Sequence, residues 1–380
     1  MLRSKLPRLG TTIFTQMSAL AAAHDAINLS QGFPDFDAPP ALLQALSRHT
    51  MAGHNQYAPM AGVPELREQI ARHVIRYRQV SCDPEAEITV VPGATEGIFC
   101  AIMACVHRGD EVIVLDPCYD SYGPGIELAG GKAVHVPLTA HTFSIDWQRV
   151  EDAVTQNTRM VIINSPHNPS GAVLSRQDLV QLEALAELHD LLIISDEVYE
   201  HLVFDDHVHH SVLQFPALRQ RSFAVFSFGK TFSVTGWKTG YCIAPPELSR
   251  ELRKVHQFVS FVAVTPVQRA LADFMATEPD YAAGLQSFYQ DKRNLFCRAV
   301  TASRFTLRPS AGTYFQLLDY SEISSETDTV LAKRWTETHR VAAIPVSVFY
   351  AQQPDQQVLR FCFAKRDEVL EEAGRVLCEI

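Results

Sequence analysis

The sequence lacks the patterns that mark disulfide-rich, nucleic-acid-binding and membrane-spanning proteins. Its eight cysteines form no CxxC pair and have no regular spacing, which favours buried, reduced thiols over a disulfide framework. Lysine and arginine (33) are outnumbered by aspartate and glutamate (43), and the net charge of −10 argues against a nucleic-acid partner, which usually requires a basic footprint. No run of about 18 apolar residues occurs, so we expect no membrane span and predict a cytoplasmic protein.

Glycine-rich phosphate-binding loops are missing as well. Gly229 and Lys230 follow an apolar run, but Ala224 stands where the loop of a nucleotide hydrolase needs its first glycine. The best glycine cluster, GPGIELAGG at 123–131, lacks the third glycine of a dinucleotide-binding turn at the required spacing. The sequence therefore supports neither a nucleotide hydrolase nor a dinucleotide site, and Lys230 requires another role.

What the sequence does contain is a regular alternation of strand and helix patterns between residues 88 and 243. Short apolar runs rich in branched and aromatic residues predict six buried strands: EITVVPG, DEVIVLDP, KAVHVP, RMVIINSP, DLLIISDE and SFAVFSF. Helical patterns lie between several of them, for example RQDLVQLEALAELHD, whose leucines mark one face. This βαβ series predicts an α/β fold with an open, doubly wound and mainly parallel sheet.

The pattern changes after roughly residue 270, which predicts a second, smaller α+β domain. A long helical region (281–303) precedes the shorter elements RFTLRPSAGTYFQLL, DTVLAKRWTETHR, VAAIP and QVLRFCFA and a final helix. We expect residues 1–40 to form an N-terminal arm and part of the small domain, 41–274 the large domain, and 275–380 the small C-terminal domain. Polar residues interrupt the first apolar stretch, so we expect a mature arm and a short helix there and no secretory signal.

Polar residues follow the predicted strands, at the carboxyl ends where an open α/β sheet binds its ligand. A small-residue turn opens a helix after the first strand, and such a turn presents N–H groups to an anion, although an ordinary helix start explains it too. The other strand-end residues also have ordinary explanations as turns or helix caps. The residues concerned are Gly93, Ala94, Thr95, Asn168, Asp196, Tyr199, Ser227, Lys230 and Lys238.

Taken together, these residues point to pyridoxal 5′-phosphate. An amine, a carboxylate, a tyrosine, an asparagine and a phosphate cradle at strand ends are what this cofactor requires. A lysine forms the Schiff base, and the cofactor ring acts as the electron sink. A carboxylate beside the pyridine nitrogen keeps that nitrogen protonated, because an opposite charge at close range raises its pKa.

The same stretches resemble the class I and II aminotransferases of fold type I, which depend on pyridoxal phosphate. The resemblance extends from AINLSQGFPDF to LRFCFAKRDE, and GTTIFTQMSALA, NLSQGFPDFD and SFGKTFSVTGWKTGY are its most specific segments. Within the family, the chain is most similar to the methionine aminotransferases and to the glutamine transaminase K/kynurenine aminotransferases. The resemblance implies two half-reactions that move an amino group from an amino acid to a 2-oxo acid, with the cofactor alternating between its pyridoxal and pyridoxamine forms.

The resemblance also implies roles for individual residues at the cofactor. Lys230 is similar to the family's Schiff-base lysine and later general base, and Asp196 to the partner of the pyridinium nitrogen. Tyr199 and Asn168 match the donors to the phenolic oxygen, and Tyr119 matches the ring that stacks on the cofactor. The phosphate ligands are matched by Ser227, Lys238 and the backbone at Gly93, Ala94 and Thr95. Many aminotransferases have arginine in place of Lys238, and lysine loses the forked geometry of that contact.

Substrate binding is predicted from the same comparison. Arg360 resembles the arginine that holds the substrate α-carboxylate, although a surface arginine on an edge strand is the alternative. Gly32 resembles a backbone contact near that carboxylate, and Asn168 also faces the substrate. Phe261 is expected in the pocket wall, with Phe14 and Phe33 as further candidates. No second arginine motif for a distal carboxylate is present, so we predict methionine, glutamine and aromatic amino acids ahead of aspartate.

The family resemblance further implies a homodimer with shared active sites. Tyr57 resembles the tyrosine that reaches the phosphate of the neighbouring subunit's cofactor. The rival interpretations are a cysteine-conjugate C–S β-lyase on the same fold and, less favoured, a ligand-sensing regulator that binds pyridoxal phosphate. The segment FDDHVHH (204–210), with His207 and His209, has a metal-binding composition, but we interpret it as a polar loop and predict no metal site.

Overall fold

A computed structural model describes residues 3–7 and 9–380. Its main sheet has seven strands in the order β2-β8-β7-β6-β5-β3-β4. Strands β4, β3, β5, β6 and β7 run parallel to one another, whereas β8 pairs antiparallel with both β7 and β2. The strands are β2 (Ile88–Val91), β3 (Glu111–Asp116), β4 (Lys132–Pro137), β5 (Thr158–Asn164), β6 (Leu192–Asp196), β7 (Ser222–Ser227) and β8 (Gly240–Ile243).

Both faces of this sheet are covered by helices. Alternate side chains of each strand point to opposite faces of the sheet. Val112 and Val114 of β3 pack against the helices on one face, and Ile113 and Leu115 pack against those on the other. The helices between and beside these strands are α2 (Pro40–Met51), α3 (Pro64–Arg78), α4 (Ala94–Cys105), α5 (Tyr122–Ala129), α6 (Trp147–Asp152), α7 (Arg176–Leu188), α8 (Pro216–Arg219), α9 (Phe228–Thr231), α10 (Pro246–Val259) and α11 (Thr265–Thr277). Continuous apolar strands are what a sheet buried on both sides requires.

Local sequence signals set several helix ends. Ser175 and Asp178 form a reciprocal capping box at the start of α7, which satisfies N–H groups that the first helical turn leaves free. Helices α3, α10 and α11 begin with proline in the first turn, where its missing N–H costs nothing. Helix α4 differs, because its N-cap is Gly93 and no side chain caps it.

A second core lies in the rest of the chain. It combines Met17 and Leu29 near the N-terminus with residues from 282 onward and with the segment that follows β6. Its elements are α1 (Ile13–Ala23), β1 (Ile27–Asn28), α12 (Leu285–Ala299), β9 (Phe315–Asp319), α13 (Asp328–Thr338), β10 (Val341–Ala342), β11 (Ile344–Pro345), β12 (Val358–Cys362) and α14 (Asp367–Cys378). Strands β11, β12 and β9 form an antiparallel sheet with β12 in the centre, and β1 pairs with β10.

The predicted α/β fold and its six strands are confirmed. The antiparallel strand β8 was not predicted. The helical region expected over 281–303 is a 3-10 turn (Tyr281–Gly284) followed by α12. All eight cysteines are free, and within the described ranges no helix is long and apolar enough to cross a membrane.

Candidate active site

The predicted cofactor and substrate residues surround one cavity of about 340 Å³. It lies beyond the carboxyl ends of the parallel strands, because β6 ends at Asp196, β7 ends at Ser227, and Asn168 follows β5. Twelve predicted residues line it: Gly32, Gly93, Ala94, Thr95, Tyr119, Asn168, Asp196, Tyr199, Ser227, Lys230, Lys238 and Arg360.

Lys230 projects into this cavity from the short helix α9, directly after β7. Its Nζ donates hydrogen bonds to the Gly32 carbonyl oxygen at 3.1 Å and to the Tyr314 hydroxyl at 2.5 Å. Burial lowers the pKa of Lys230 to about 8, and the charges of Arg360 and Lys238 act in the same direction. A neutral amine, able to act as a base or nucleophile, is therefore accessible near physiological pH.

Asp196 is a buried carboxylate at the end of β6. Its Oδ2 accepts a hydrogen bond from the Tyr122 hydroxyl at 2.6 Å, and the Asn164 side chain donates to its carbonyl oxygen at 2.8 Å. Burial raises the pKa of Asp196 to about 6. A cationic ring nitrogen placed beside this carboxylate would stabilise the ionised form and would itself be held protonated.

The start of α4 forms an anion cradle beside Lys238. Gly93 has φ +83° and ψ 157°, so the first N–H groups of the helix face the cavity without a side-chain cap. A Cβ at Gly93 would lie 3.3 Å from Lys238 Nζ, but the positive φ is the stronger reason for glycine at this position. Free N–H groups, the positive end of a 12-residue helix and a lysine suit a phosphate group.

Arg360 lies in the centre of the small sheet, 1% exposed, so it is not a surface arginine on an edge strand. Its Nη1 donates to Asn168 Oδ1 at 2.7 Å and its Nη2 to the Ser30 carbonyl oxygen at 3.1 Å, and the guanidinium stacks on the Phe315 ring at 3.9 Å. Its Nε is buried without a hydrogen-bond partner. A substrate carboxylate would neutralise this buried cation.

Gly32 also lines the cavity. A Cβ at this position would lie 2.7 Å from the Phe315 ring, so any side chain would displace the ring that supports Arg360. Phe14 also lines the cavity. Phe33 instead packs near Lys365.

Three predicted residues, Phe33, Tyr57 and Phe261, lie outside the cavity lining. The Tyr57 side chain is 83% exposed and makes an edge-to-face contact with Phe261, with 5.3 Å between the ring centres. A role for Tyr57 in the neighbouring subunit requires such exposure, and both assignments stay predictions. In the 204–210 loop, the His209 ring is hydrogen-bonded to Glu197 at 2.9 Å, and Asp205 forms an ion pair with Arg293. Two of the candidate metal ligands in this loop therefore have protein partners.

The missed residues that contact the predicted set include Asn164, Tyr122, Tyr314 and Phe315. Asn164 ends β5 as Asp196 ends β6, so the strand-end argument could have found it. Tyr122 is three residues after Tyr119 in the sequence, but nothing local signals its bond to Asp196. Tyr314 belongs to the second core, and no local pattern indicates its contact with Lys230.

A family model described as aminotransferase class I and II matches residues 24–377. The chain belongs to the class I and II aminotransferases. The methionine aminotransferase of Escherichia coli is 49% identical over 378 residues, covering 100% of this chain and 98% of that protein. Kynurenine–oxoglutarate transaminase 3 of Mus musculus is 32% identical over 402 residues, covering 98% and 88%. The structure of N-succinyldiaminopimelate aminotransferase from Mycobacterium tuberculosis superimposes with a TM-score of 0.96 at 40% identity and full coverage of both chains.

Membership of this family makes the protein an aminotransferase that depends on pyridoxal 5′-phosphate and acts on amino acids and 2-oxo acids. The cavity suits that cofactor. It offers a lysine amine, a buried carboxylate and an uncapped helix start for the phosphate.

Proposed function

We propose that the protein transfers the amino group of methionine, glutamine or an aromatic amino acid to a 2-oxo acid. The observation that carries this proposal is the convergence of Lys230, Asp196 and Arg360 on one cavity. These side chains come from both cores of the chain, and they supply a base, a counter-charge for a ring nitrogen and a carboxylate ligand. The similarity to a methionine aminotransferase supports the choice of donor.

We assign the cofactor ligands as follows. Asp196 would hold the ring nitrogen, Tyr199 and Asn168 would bind the phenolic oxygen, and Tyr119 would stack on the ring. Ser227, Lys238 and the α4 N-terminus would bind the phosphate. When bound, pyridoxal phosphate supplies the electron-withdrawing ring that stabilises negative charge at the substrate Cα.

The chain's own groups then bind the substrate and move its proton. Arg360 orients the amino acid through its α-carboxylate, and Asn168 fixes the guanidinium by the 2.7 Å bond to Nη1. Lys230, whose pKa is lowered to about 8 by burial and by neighbouring cations, has a neutral fraction that would take the proton from the substrate Cα and pass it to the bound cofactor. Tyr314 holds the amine of Lys230 toward the cavity.

The substrate preference rests on the lining of the cavity. Arg360 is the one arginine among its lining residues, whereas Phe14, Ile98, Val198 and Phe315 provide apolar surface. A distal carboxylate would therefore be desolvated without a fixed cationic partner, which is unfavourable. Phe261 does not line the cavity of its own chain, and it contacts the exposed Tyr57 ring. We therefore place it in the pocket wall only on the assumption that a second subunit completes the pocket.

The test is a panel of amino acids with a common 2-oxo acid acceptor, with products identified by mass. Methionine should turn over faster than aspartate and yield a 2-oxo acid with its carbon chain intact. Aspartate turning over faster would contradict the proposed specificity. Release of pyruvate, ammonia and a thiol from a cysteine conjugate, with no amino transfer, would favour the β-lyase.

We also propose a cytoplasmic homodimer built from the three ranges 1–40, 41–274 and 275–380. Eight free cysteines support a reducing compartment. Two separate hydrophobic cores support the division of the chain. The exposed Tyr57 supports a shared active site, because a partner subunit would cover it.

A further inference from the structure

A polar cluster lies behind Tyr199, outside the active-site cavity. It consists of His73 on α3 and of Glu200 and His201, which follow Tyr199 in the chain. The side chains of Glu200 and His201 are 5% exposed and that of His73 is 11% exposed. The aminotransferase reaction assigns none of these three residues a role.

Three ligand atoms of this cluster converge on one point. His73 Nε2 and His201 Nε2 are 2.9 Å apart, and Glu200 Oε1 lies 3.8 Å from the first and 3.5 Å from the second. In the triangle that these three atoms form, the point equidistant from all of them lies about 2.0 Å from each. This distance matches typical zinc–nitrogen and zinc–oxygen bond lengths of about 2.0–2.2 Å. We propose that His73, Glu200 and His201 form a site for a divalent transition metal, with Zn²⁺ as the best match.

A hydrogen bond between the two histidines explains only part of this geometry. It accounts for the 2.9 Å contact, but Glu200 Oε1 is farther from both ring nitrogens than the usual range of about 2.7–3.2 Å for such bonds. The carboxylate oxygen nevertheless faces the same side as both Nε2 atoms. Two imidazoles and a carboxylate are a ligand set that zinc sites use.

Neighbouring residues hold the ligands in place. Arg78 Nη2 donates to Glu200 Oε2 at 2.6 Å and the Tyr241 hydroxyl donates to Oε1 at 3.3 Å. These bonds orient the carboxylate, as outer-shell partners of metal-binding carboxylates do, and leave a second lone pair on Oε1. The Tyr77 ring packs against both imidazoles, with 4.6 and 4.9 Å between the ring centres.

The site has a route to solvent. His73 lines a separate surface cavity of about 310 Å³, together with Gln69, Arg72 and Arg76 of the same helix. His73 is the one proposed ligand in the lining of this cavity, so an ion or a water molecule as fourth ligand would approach the site past His73. Because the ligands come from α3 and from the segment after β6, a bound metal would link these two parts of the chain.

The experiment is a calorimetric titration of the chelator-treated, dialysed holoenzyme with Zn²⁺. We expect saturable binding of one ion per chain and a rise in Tm that follows the binding curve. His73→Gln and His201→Gln should each weaken binding at least about tenfold. His207→Gln is the matched control, because it removes a histidine of the 204–210 loop and should leave the affinity unchanged.

The binding data for these variants show whether the ion is held by His73, Glu200 and His201. No saturable binding by the wild-type enzyme, wild-type affinity in folded His73→Gln, or lost binding in His207→Gln would each overturn the assignment. Circular dichroism establishes that the variants are folded. If the buried-site variants do not fold, X-ray absorption of the zinc-loaded wild-type enzyme decides, since two imidazoles with oxygen ligands support the site and sulfur or four imidazoles refute it.

Discussion

At the scale of single residues, the environment of Lys230 determines what its amine can do. The side chain is surrounded by the Tyr199 and Tyr314 rings, which lie 5.5 and 5.1 Å from Nζ, and burial lowers its pKa to about 8. The Tyr314 hydroxyl accepts a hydrogen bond from the amine and also donates to the Gly32 carbonyl oxygen. Tyr314 therefore fixes where the amine points.

For Tyr314→Phe we expect kcat to fall about tenfold or more, because one hydrogen bond to a charged group is worth roughly 1.5–3 kcal/mol. KM for the amino acid should change much less, because Arg360 makes its hydrogen bonds to Asn168 and Ser30 rather than to Tyr314. Loss of an acceptor for the ammonium form lowers the pKa of Lys230 further, so the acidic limb of the rate profile should move to lower pH. Kinetics across a pH series measure both effects.

A purely structural role for Tyr314 would give a different result. The variant would then lose stability, while its pH profile would coincide with that of the wild-type enzyme. Phe288→Ala is a suitable comparison, since it removes an exposed ring near Tyr289 and should alter neither kcat nor the pH profile.

Asp196→Asn should retain the fold and lose activity by several orders of magnitude. A neutral amide cannot keep the ring nitrogen protonated, and the unprotonated ring is a poor electron sink. Tyr122 can still donate to the amide oxygen, which preserves the local hydrogen bond. Steady-state rates and circular dichroism are the measurements, and activity within about tenfold of wild type, or ~1.4 kcal/mol of barrier, would contradict the assigned role.

At the scale of secondary structure, the sheet explains why distant residues meet. Parallel strands place their carboxyl ends at one edge, so the chain positions after β5, β6 and β7 become neighbours. Asn168, Asp196 and Lys230 could therefore be predicted from strand patterns alone. Tyr122 and Tyr314 could not, because their contacts depend on how α5 and the second core pack against that edge.

The same limit applies to the proposed metal site. His73 and His201 are 128 positions apart, and the sequence around each shows only an ordinary helix and the end of a strand segment. The His-rich 204–210 loop had the stronger sequence signal, yet Asp205 pairs with Arg293 of α12 and His209 with Glu197. Composition identifies possible ligands, whereas only the packing of α3 shows which of them converge.

The start of α4 permits a test of the phosphate cradle. Gly93 has backbone angles that are essentially restricted to glycine, and other residues pay of order 1–3 kcal/mol there. Gly93→Ala would also push against Lys238, which lies 3.3 Å from the added Cβ. We expect the Kd for pyridoxal phosphate to rise about tenfold or more.

Gly109→Ala provides the matched control for this prediction. Gly109 also has a positive φ, of +95°, but nothing lies within 4 Å of an added Cβ. It should reduce stability without changing cofactor affinity. Equal cofactor affinity for Gly93→Ala and Gly109→Ala, measured by fluorescence titration, would refute the cradle.

At the scale of the whole molecule, the exposed position of Tyr57 bears on the homodimer that we propose. The loop that carries it is held in place, because Thr265 donates to the Gln56 carbonyl oxygen at 2.7 Å and accepts from the Ala58 N–H at 3.1 Å. The ring itself is exposed, as is Phe258, which lies three residues before the Phe261 ring that Tyr57 contacts. A fixed loop that presents an exposed aromatic ring is consistent with a contact surface.

Hybrid dimers test whether the two active sites are shared. Lys230→Ala should be inactive, and Tyr57→Phe should bind the cofactor poorly, since one charge-assisted hydrogen bond of roughly 1.5–3 kcal/mol is lost. In a dimer with one chain of each type, one site inherits both defects. The other site combines the intact Lys230 of the Tyr57→Phe chain with the intact Tyr57 of the Lys230→Ala chain.

The intact site of the hybrid should have wild-type cofactor affinity and supply about half the activity of a normal dimer, because one site of the two remains complete. If Tyr57 acted within its own chain, neither site would be complete. Hybrids purified through two different affinity tags separate these cases. Cofactor affinity no better than that of the Tyr57→Phe homodimer would exclude a shared site, because the Lys230→Ala chain would then contribute nothing to its partner.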